Sequence, residues 1–345
     1  MSLRELVSTS RGRVIPAFAA IYLIWGSTYL AIRLAIDTMP PFLMAGTRYL
    51  IAGAILYPLA RKQAGRPEKA HWIGAGIIGA FLLLGGNGGV VWAEQRVASG
   101  LAALPVATVP LWTVLLDSLI RRRWPTRRVL AGLFMGFLGL VLLVGPGELA
   151  GSNRVDPIGV AALVAGALCW ATGTVLSRRV KLPASPLLGT AMEMLVGGAL
   201  LFAFGLLFGE GSRLRLDAIT PKSIAALAYL VVFGSLIGLS AYVWLLTVVA
   251  PARVSTYAFV NPVIAVLLGW AFHGEPLTAR TLIAAGVIVG AVVLITTERM
   301  AKEPICANRD TEVDRGGPEP APGEPSALSN RESADVLKRI HSARA

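Results

Sequence analysis

The sequence predicts an all-α integral membrane protein: ten transmembrane helices arranged as two inverted five-helix repeats. Three observations lead there. Hydrophobic residues make up 55% of the 345 positions and charged residues only 15%, where a soluble domain carries about 25% charged. Ten apolar runs are each long enough to cross a bilayer. The first five runs align with the second five at two nearly constant spacings.

Crossing ~30 Å of hydrocarbon at 1.5 Å per residue takes about 20 apolar residues. The runs that qualify are roughly 14–36, 41–60, 71–93, 98–120, 129–146, 157–179, 186–208, 222–246, 252–272 and 279–297. They are continuously apolar, without the alternation that barrel strands need. An open sheet cannot satisfy its backbone in lipid, so helix is the conformation that remains. Pro41, Pro125, Pro157, Pro186, Pro221, Pro251 and Pro276 stand at or near the proposed starts, where proline sacrifices no hydrogen bond. Thr126 and Thr278 are candidate N-caps. The first run lacks a small-residue cleavage site and is followed by many others, so it reads as a span.

The repeat has a mechanical consequence. An offset of 145 carries Trp25 onto Trp170, Arg33 onto Arg178, Pro41 onto Pro186 and Gly53 onto Gly198. An offset of 152 carries Gly86 onto Gly238, Trp92 onto Trp244, Pro110 onto Pro262 and Thr126 onto Thr278. The difference of seven fits a longer connection at Gly209–Pro221 than at Arg61–Ala70. Five is an odd number, so the second copy enters the membrane in the opposite sense. The halves are taken as 14–147 and 155–297. The stretch 298–345, rich in proline, glycine and charge, is expected to be a disordered cytoplasmic tail.

The net charge of +12 would suggest nucleic acid in a soluble protein. Here the basic residues sit in short loops and act as topology signals. With the N-terminus inside, the inner segments hold eighteen Lys and Arg and the outer loops six. That predicts both termini in the cytoplasm of a cell whose inner membrane holds the chain. Cys169 and Cys306 lie in unlike surroundings and imply no disulfide. His71, His273 and His341 stand apart, so no metal or cofactor is expected.

The stretch Ile24-Trp25-Gly26-Ser27-Thr28-Tyr29-Leu30-Ala31-Ile32-Arg33 resembles the first helix of EamA-type transporters, a branch of the drug/metabolite transporter superfamily. Pro40-Pro41-Phe42-Leu43-Met44-Ala45-Gly46-Thr47-Arg48-Tyr49 resembles their second helix. Gly85-Gly86-Asn87-Gly88-Gly89 through Ser99-Gly100-Leu101-Ala102-Ala103 is similar to the third and fourth. Val260-Asn261-Pro262-Val263 with Gly274-Glu275-Pro276-Leu277-Thr278 is similar to the ninth and its exit. The resemblance spans about 14–297. It implies export of metabolites, amino acids among them, or of toxic compounds. Pro105 departs from the pattern and should kink the fourth helix; its counterpart is Tyr257.

The candidate site residues each carry two readings. Trp25 lies about 16 Å into the first helix, away from the interface that tryptophan prefers. It is either a cavity wall, with Ser27 and Thr28 beside it, or a packed ring. Trp170 with Thr172 is the repeat counterpart. Trp92 and Trp244 read as interfacial anchors. Asn87 and Asn261 contact substrate or bond between helices. Pro110 and Pro262 free a carbonyl at matching mid-span points, for transport or as plain kinks. Arg48 and Glu193 are ionisable groups inside spans and are read as functional. They superpose under the 145 offset, yet Arg48 lies about 10 Å below the outer boundary and Glu193 about 10 Å above the inner one, so no salt bridge between them is expected. Asp117 and Arg121 make an ordinary i,i+4 pair. Gly132, Gly136, Gly286 and Gly290 permit close helix approach, within the chain or in a homodimer.

The reading carried forward is a secondary transporter, an exporter of small polar or amphipathic metabolites. Many such proteins bind substrate near the midplane between inverted halves. No P-loop occurs, so ATP is not the direct driver. A channel or lipid scramblase is the first alternative. A membrane-embedded enzyme is the second and lacks any nucleophile–base or metal pattern.

Overall fold

The computed structural model describes residues 3–96, 105–150, 156–273 and 278–297. The main helices, in chain order, are α1 (Leu3–Ile36), α2 (Pro41–Ala64), α3 (Lys69–Ala93), α4 (Val109–Arg121), α5 (Arg127–Ala150), α6 (Pro157–Leu176), α7 (Pro186–Leu207), α8 (Pro221–Val248), α9 (Tyr257–His273) and α10 (Ala279–Thr296). No strand occurs among the described residues. Seven helices there are long and apolar enough to cross a membrane: α1 from Arg13, α2, α3, α6, α7, α8 and α10. The residues expected to form the tail lie outside the described ones.

The expected spans 98–120 and 252–272 are not continuous helices. The chain is helical at 105–106, turns at 107–108 and restarts at Val109; residues 97–104 lie outside the described ones. At the ninth span a short helix, Pro251–Val254, ends before α9 begins at Tyr257. Hydroxyl groups explain both interruptions. Thr108 donates back to the carbonyl of Pro105. Ser255 and Thr256 donate to Ala252 and Arg253. Such local bonds compete with the helical ladder.

Several helix starts follow the sequence signals. Pro41, Pro157, Pro186 and Pro221 occupy first-turn positions. Thr278 accepts from the Thr281 amide and Thr126 from the Val129 amide. Asp156 accepts from Ile158 at 3.0 Å. That bond holds its carboxyl below the usual range despite some desolvation, with Arg96 assisting. Asp117 and Arg121 pair at 2.8 Å. Trp92 lies under the Arg96 guanidinium at 4.5 Å.

Side chains such as Leu23, Leu30, Phe134, Leu138, Leu282, Ile283 and Val289 point outward. A water-facing surface would not display so much contiguous apolar area. Inside, glycines set how closely helices approach. Gly46 lies against Phe202, Gly198 against Leu50 and Gly53 against Leu195. As numbering rises on α2 it falls on α7, so this pair runs antiparallel. Gly132 faces Ile295 and Gly139 faces Ile288, which makes α5 and α10 antiparallel too. Gly132 and Gly136 are therefore covered by Ile295 and Phe259 of the same chain. Of the residues considered for a homodimer seam, Gly286 has open space beside it and Gly290 touches only Met135.

Repeat mates make matching bonds. Arg33 donates to the carbonyl of Glu94 at 2.6 Å, and Arg178 to that of Leu246 at 3.0 Å. The offsets of 145 and 152 carry the first pair onto the second. The third helix of each half also widens at matching points. Ala80–Asn87 in α3 and Leu230–Leu239 in α8 wind as π-helix, and the 152 offset carries Asn87 onto Leu239. Wide turns of this type are rare and frequently mark functional sites. They, and not Pro110 and Pro262, are the matched interruptions. Pro110 sits in the first turn of α4, where no intrahelical bond is lost. Of the two, Pro262 alone falls inside a helix.

One acidic side chain clamps the two halves. The Glu210 carboxylate, buried, accepts from the backbone amides of Phe42 at 3.2 Å and Leu43 at 2.9 Å. It thereby caps the start of α2, where amides lack partners and the dipole favours an anion. Glu210→Ala is expected to destabilise the protein by about 1–2 kcal/mol, read as a lower unfolding midpoint in detergent.

Candidate functional site

Helices of both halves converge on a cavity of about 80 Å³. That is room for several waters, since one needs roughly 10–15 Å³ by this measure. Trp25, Thr28, Arg48, Asn87, Trp170 and Asn261 all line it, as do Tyr29, Tyr49, Gly234 and Tyr257.

One wall is aromatic. Trp25 and its repeat mate Trp170 meet edge to face at 5.6 Å between ring centroids. Tyr257 stands at 4.8 Å from Trp25, and Tyr242 at 5.1 Å behind it. The indole of Trp25 donates to the carbonyl of Gly234 at 3.2 Å. The π-helical turn of α8 supplies that acceptor. The indole of Trp170 donates to the Tyr242 hydroxyl at 3.0 Å. Rings held at their nitrogens are preorganised, so little rotamer freedom remains to be lost on binding. Trp25→Ala is expected to lower transport by about tenfold or more, with abundance nearly unchanged, since it removes a ring contact and the bond that orients it. Trp25→Phe should keep part of the activity. Quantitative blots of the membrane fraction beside uptake assays check this; activity that merely tracks protein amount makes the ring structural.

Arg48, 3% exposed, also lines the cavity. Its Nε donates to Ser235 at 2.7 Å, and its guanidinium lies 4.7 Å from the centre of the Tyr49 ring. Its Nη1 has no partner. The Oδ1 of Asn87 is likewise buried without one. Two residues that line the cavity thus each hold a buried polar atom without a partner, one a cationic donor and one an acceptor. Asn261 is engaged once its amide is turned to the orientation its neighbours satisfy: the nitrogen then donates to the carbonyls of Tyr22 and Tyr257 at 3.3 and 3.0 Å.

Three residues named from sequence stand elsewhere. Ser27 bonds the Tyr229 hydroxyl at 2.6 Å and the Ile24 carbonyl, facing α8. Thr172 donates to Leu168 on its own helix. Residues two apart on a helix point about 200° apart, so Ser27 and Trp25 cannot share the cavity wall, nor Thr172 and Trp170. Glu193 lies off the cavity, 1% exposed, with neither carboxylate oxygen hydrogen-bonded. No ion pair joins it to Arg48. The α2–α7 register places Arg48 level with residue 200, seven residues and about 10 Å from Glu193.

Sequence reasoning missed Ser235, Tyr242, Tyr257 as a wall, and Glu94. Glu94 is 2% exposed, with both carboxylate oxygens unpartnered, where Arg33 reaches its backbone. Hydroxyl-bearing rings at mid-span in 242 and 257 were a usable signal. Glu94 sits at the end of a run and reads like any loop charge.

An apolar-surfaced helical bundle of two repeated halves, with an internal cavity lined by rings and a few polar groups, fits the architecture of a membrane transporter. The chain belongs to the EamA-like transporter family, whose pattern matches residues 13–145 and again 157–297. It is similar to the inner membrane transporter YedA of Escherichia coli, described as uncharacterized, at 40% identity over 81% of this chain and 89% of that one. It is 28% identical to the protein PecM of Dickeya dadantii, over 79% of this chain and 88% of that one. A WAT1-related chloroplastic protein of Arabidopsis thaliana is 25% identical over 79% of this chain and 67% of its own. One crystal structure superposes with a TM-score of 0.65 at 23% identity, covering 83% of this chain and 97% of that one. At that identity it attests the fold alone.

Proposed function

We propose that the chain is a secondary exporter of small amphipathic metabolites, carboxylate-bearing and amino-acid-like, working by alternating access in the inner membrane. The observation that carries this is a buried guanidinium, Arg48, that lines one cavity together with Trp25, Trp170 and Asn87 and keeps one nitrogen, Nη1, without a partner. A guanidinium held by Ser235 with one edge open matches a carboxylate. The Asn87 carbonyl matches an ammonium or amide donor, and Trp25 and Trp170 match an apolar or aromatic side chain.

Alternating access rests on the repeat. The antiparallel pairs α2–α7 and α5–α10, the matched Arg33 and Arg178 bonds and the matched π-helical turns all support two inverted five-helix halves. Ten spans with both termini cytoplasmic follow from that count and from the basic residues of the inner loops. The test is reconstitution and counterflow with a panel of radiolabelled amino acids and other small carboxylates. Saturable exchange of a carboxylate, lost in Arg48→Gln, is the expected result. Non-saturable flux would favour a channel. Reporter fusions after residues 150 and 300 should read periplasmic and cytoplasmic.

A further inference from the structure

Glu193 is a buried acid that substrate binding does not use. It is 1% exposed, and neither of its oxygens has a hydrogen-bond partner. An ionised carboxylate placed so would be an uncompensated charge, so the group rests there as the neutral acid. Its surroundings offer no counter-charge. On α3, Gly79 packs against its backbone carbonyl, and residues 75–83 hold no titratable group. On α2 the level of Glu193 is occupied by the apolar residues 51–56, and the next residue, Tyr57, packs at a tilt against Trp72. On α8 the titratable neighbour is Tyr242, within electrostatic reach of Glu193. The Tyr242 hydroxyl is already engaged, by the Trp170 indole and by Thr174. The Thr174 hydroxyl bonds the Trp170 carbonyl. One shell of residues therefore separates the acid from the cavity, and that shell contains the cavity's own wall.

The repeat says when this acid meets water. Glu193 is the mate of Arg48, which faces the cavity here. Exchange of conformations between the halves puts α7 in the role that α2 has in this state, and so brings Glu193 to the cavity.

We propose that Glu193 is the proton-binding site that couples transport to a proton gradient. This rests on the alternating-access reading. In the present state the carboxyl holds one H⁺. When the halves exchange roles, the O–H bond breaks, H⁺ passes to water in the cavity and the carboxylate remains. Rebinding a proton from the other side completes the cycle.

Two measurements on the full-length protein test it. The first is an infrared pH titration of purified protein. Carbonyl absorption of protonated carboxylic acid should be present at neutral pH, with one component lost in Glu193→Gln and a separate component lost in Glu94→Gln. Glu94 is the control because it is also buried with both oxygens unpartnered. Absence of this absorption, or a loss with Glu94→Gln alone, overturns the proposal. The second uses proteoliposomes and each standard L-amino acid, radiolabelled in turn. Glu193→Gln should keep counterflow exchange, which moves no net proton, and lose accumulation driven by a pH gradient. Undiminished accumulation overturns the proposal, and so does loss of exchange together with accumulation. If nothing exchanges in the wild type, the carrier reading falls and coupling falls with it. The infrared band then still reports whether Glu193 binds a proton.

Discussion

Arg48→Gln is expected to lower transport about 100-fold while the protein reaches the membrane in nearly normal amount. The guanidinium is fixed from two sides, by Ser235 on the π-helical turn of α8 and by the Tyr49 ring. Its Nη1 has no partner, and Arg48 lines the cavity. Removing one member of a buried charged pair costs about 2–5 kcal/mol, and the lower half of that range is roughly 30- to 300-fold. Folding should suffer less, because the substitution also removes a buried charge with one unsatisfied donor. Arg48→Lys keeps the charge but not the planar fork that reaches both Ser235 and a substrate. It should fall between wild type and Arg48→Gln. Ser235→Ala should weaken substrate affinity without touching the cavity, because it only frees the guanidinium to turn. Initial rates normalised to membrane abundance decide the matter. An Arg48→Gln protein that transports like wild type would falsify the anchoring role.

The second large effect is on folding. A Cβ on Gly46 would sit 2.7 Å from the backbone nitrogen of Phe202 and 2.8 Å from its Cα. These are main-chain atoms of α7 and cannot swing aside. Gly46→Ala must push α2 and α7 apart, at an overpacking cost of about 1–3 kcal/mol. Gly46→Leu should exceed that and leave little folded protein. The pair is the most extensive helix contact in the fold, and close approach of small residues is its source of stability in lipid. Gly286→Ala is the matched control, because nothing lies within 4 Å of the position. Its exposed helical site should tolerate the methyl group. Size-exclusion profiles after heating, in detergent, compare the two. Equal stability of Gly46→Ala and Gly286→Ala would sink this account.

The legible and illegible parts of the site divide by physical cause. Trp25 and Arg48 announced themselves because a polar ring or a charge inside a run of hydrocarbon-compatible residues is expensive. Asn87, Asn261 and Trp170 did so for the same reason. Cost marks a residue as needing a partner without naming the partner. Ser27, Thr172 and Glu193 were costly too, yet they find Tyr229, Leu168 and, for Glu193, no partner at all. A span read as a string of apolar residues also hides the direction of each side chain, which is why Ser27 was grouped with Trp25. Ser235 was missed because a lone serine within a span is cheap. Its role exists only because α2 brings Arg48 within 2.7 Å.

Hydropathy, proline placement and the spacing of the two halves determined the membrane-spanning class, the helix starts and the paired architecture. Each depends on the local cost of placing a backbone or a side chain in hydrocarbon. The interruptions at 107–108 and 255–256 follow from local hydroxyl bonds, whereas the π-helical turns in α3 and α8 were decided by tertiary structure. So were the cavity's membership and the seclusion of Glu193. These turn on which helix lies opposite and at what height: Gly46 against Phe202 sets the register of α2 on α7. That register carries Arg48 to the cavity and leaves its repeat mate buried about two turns away.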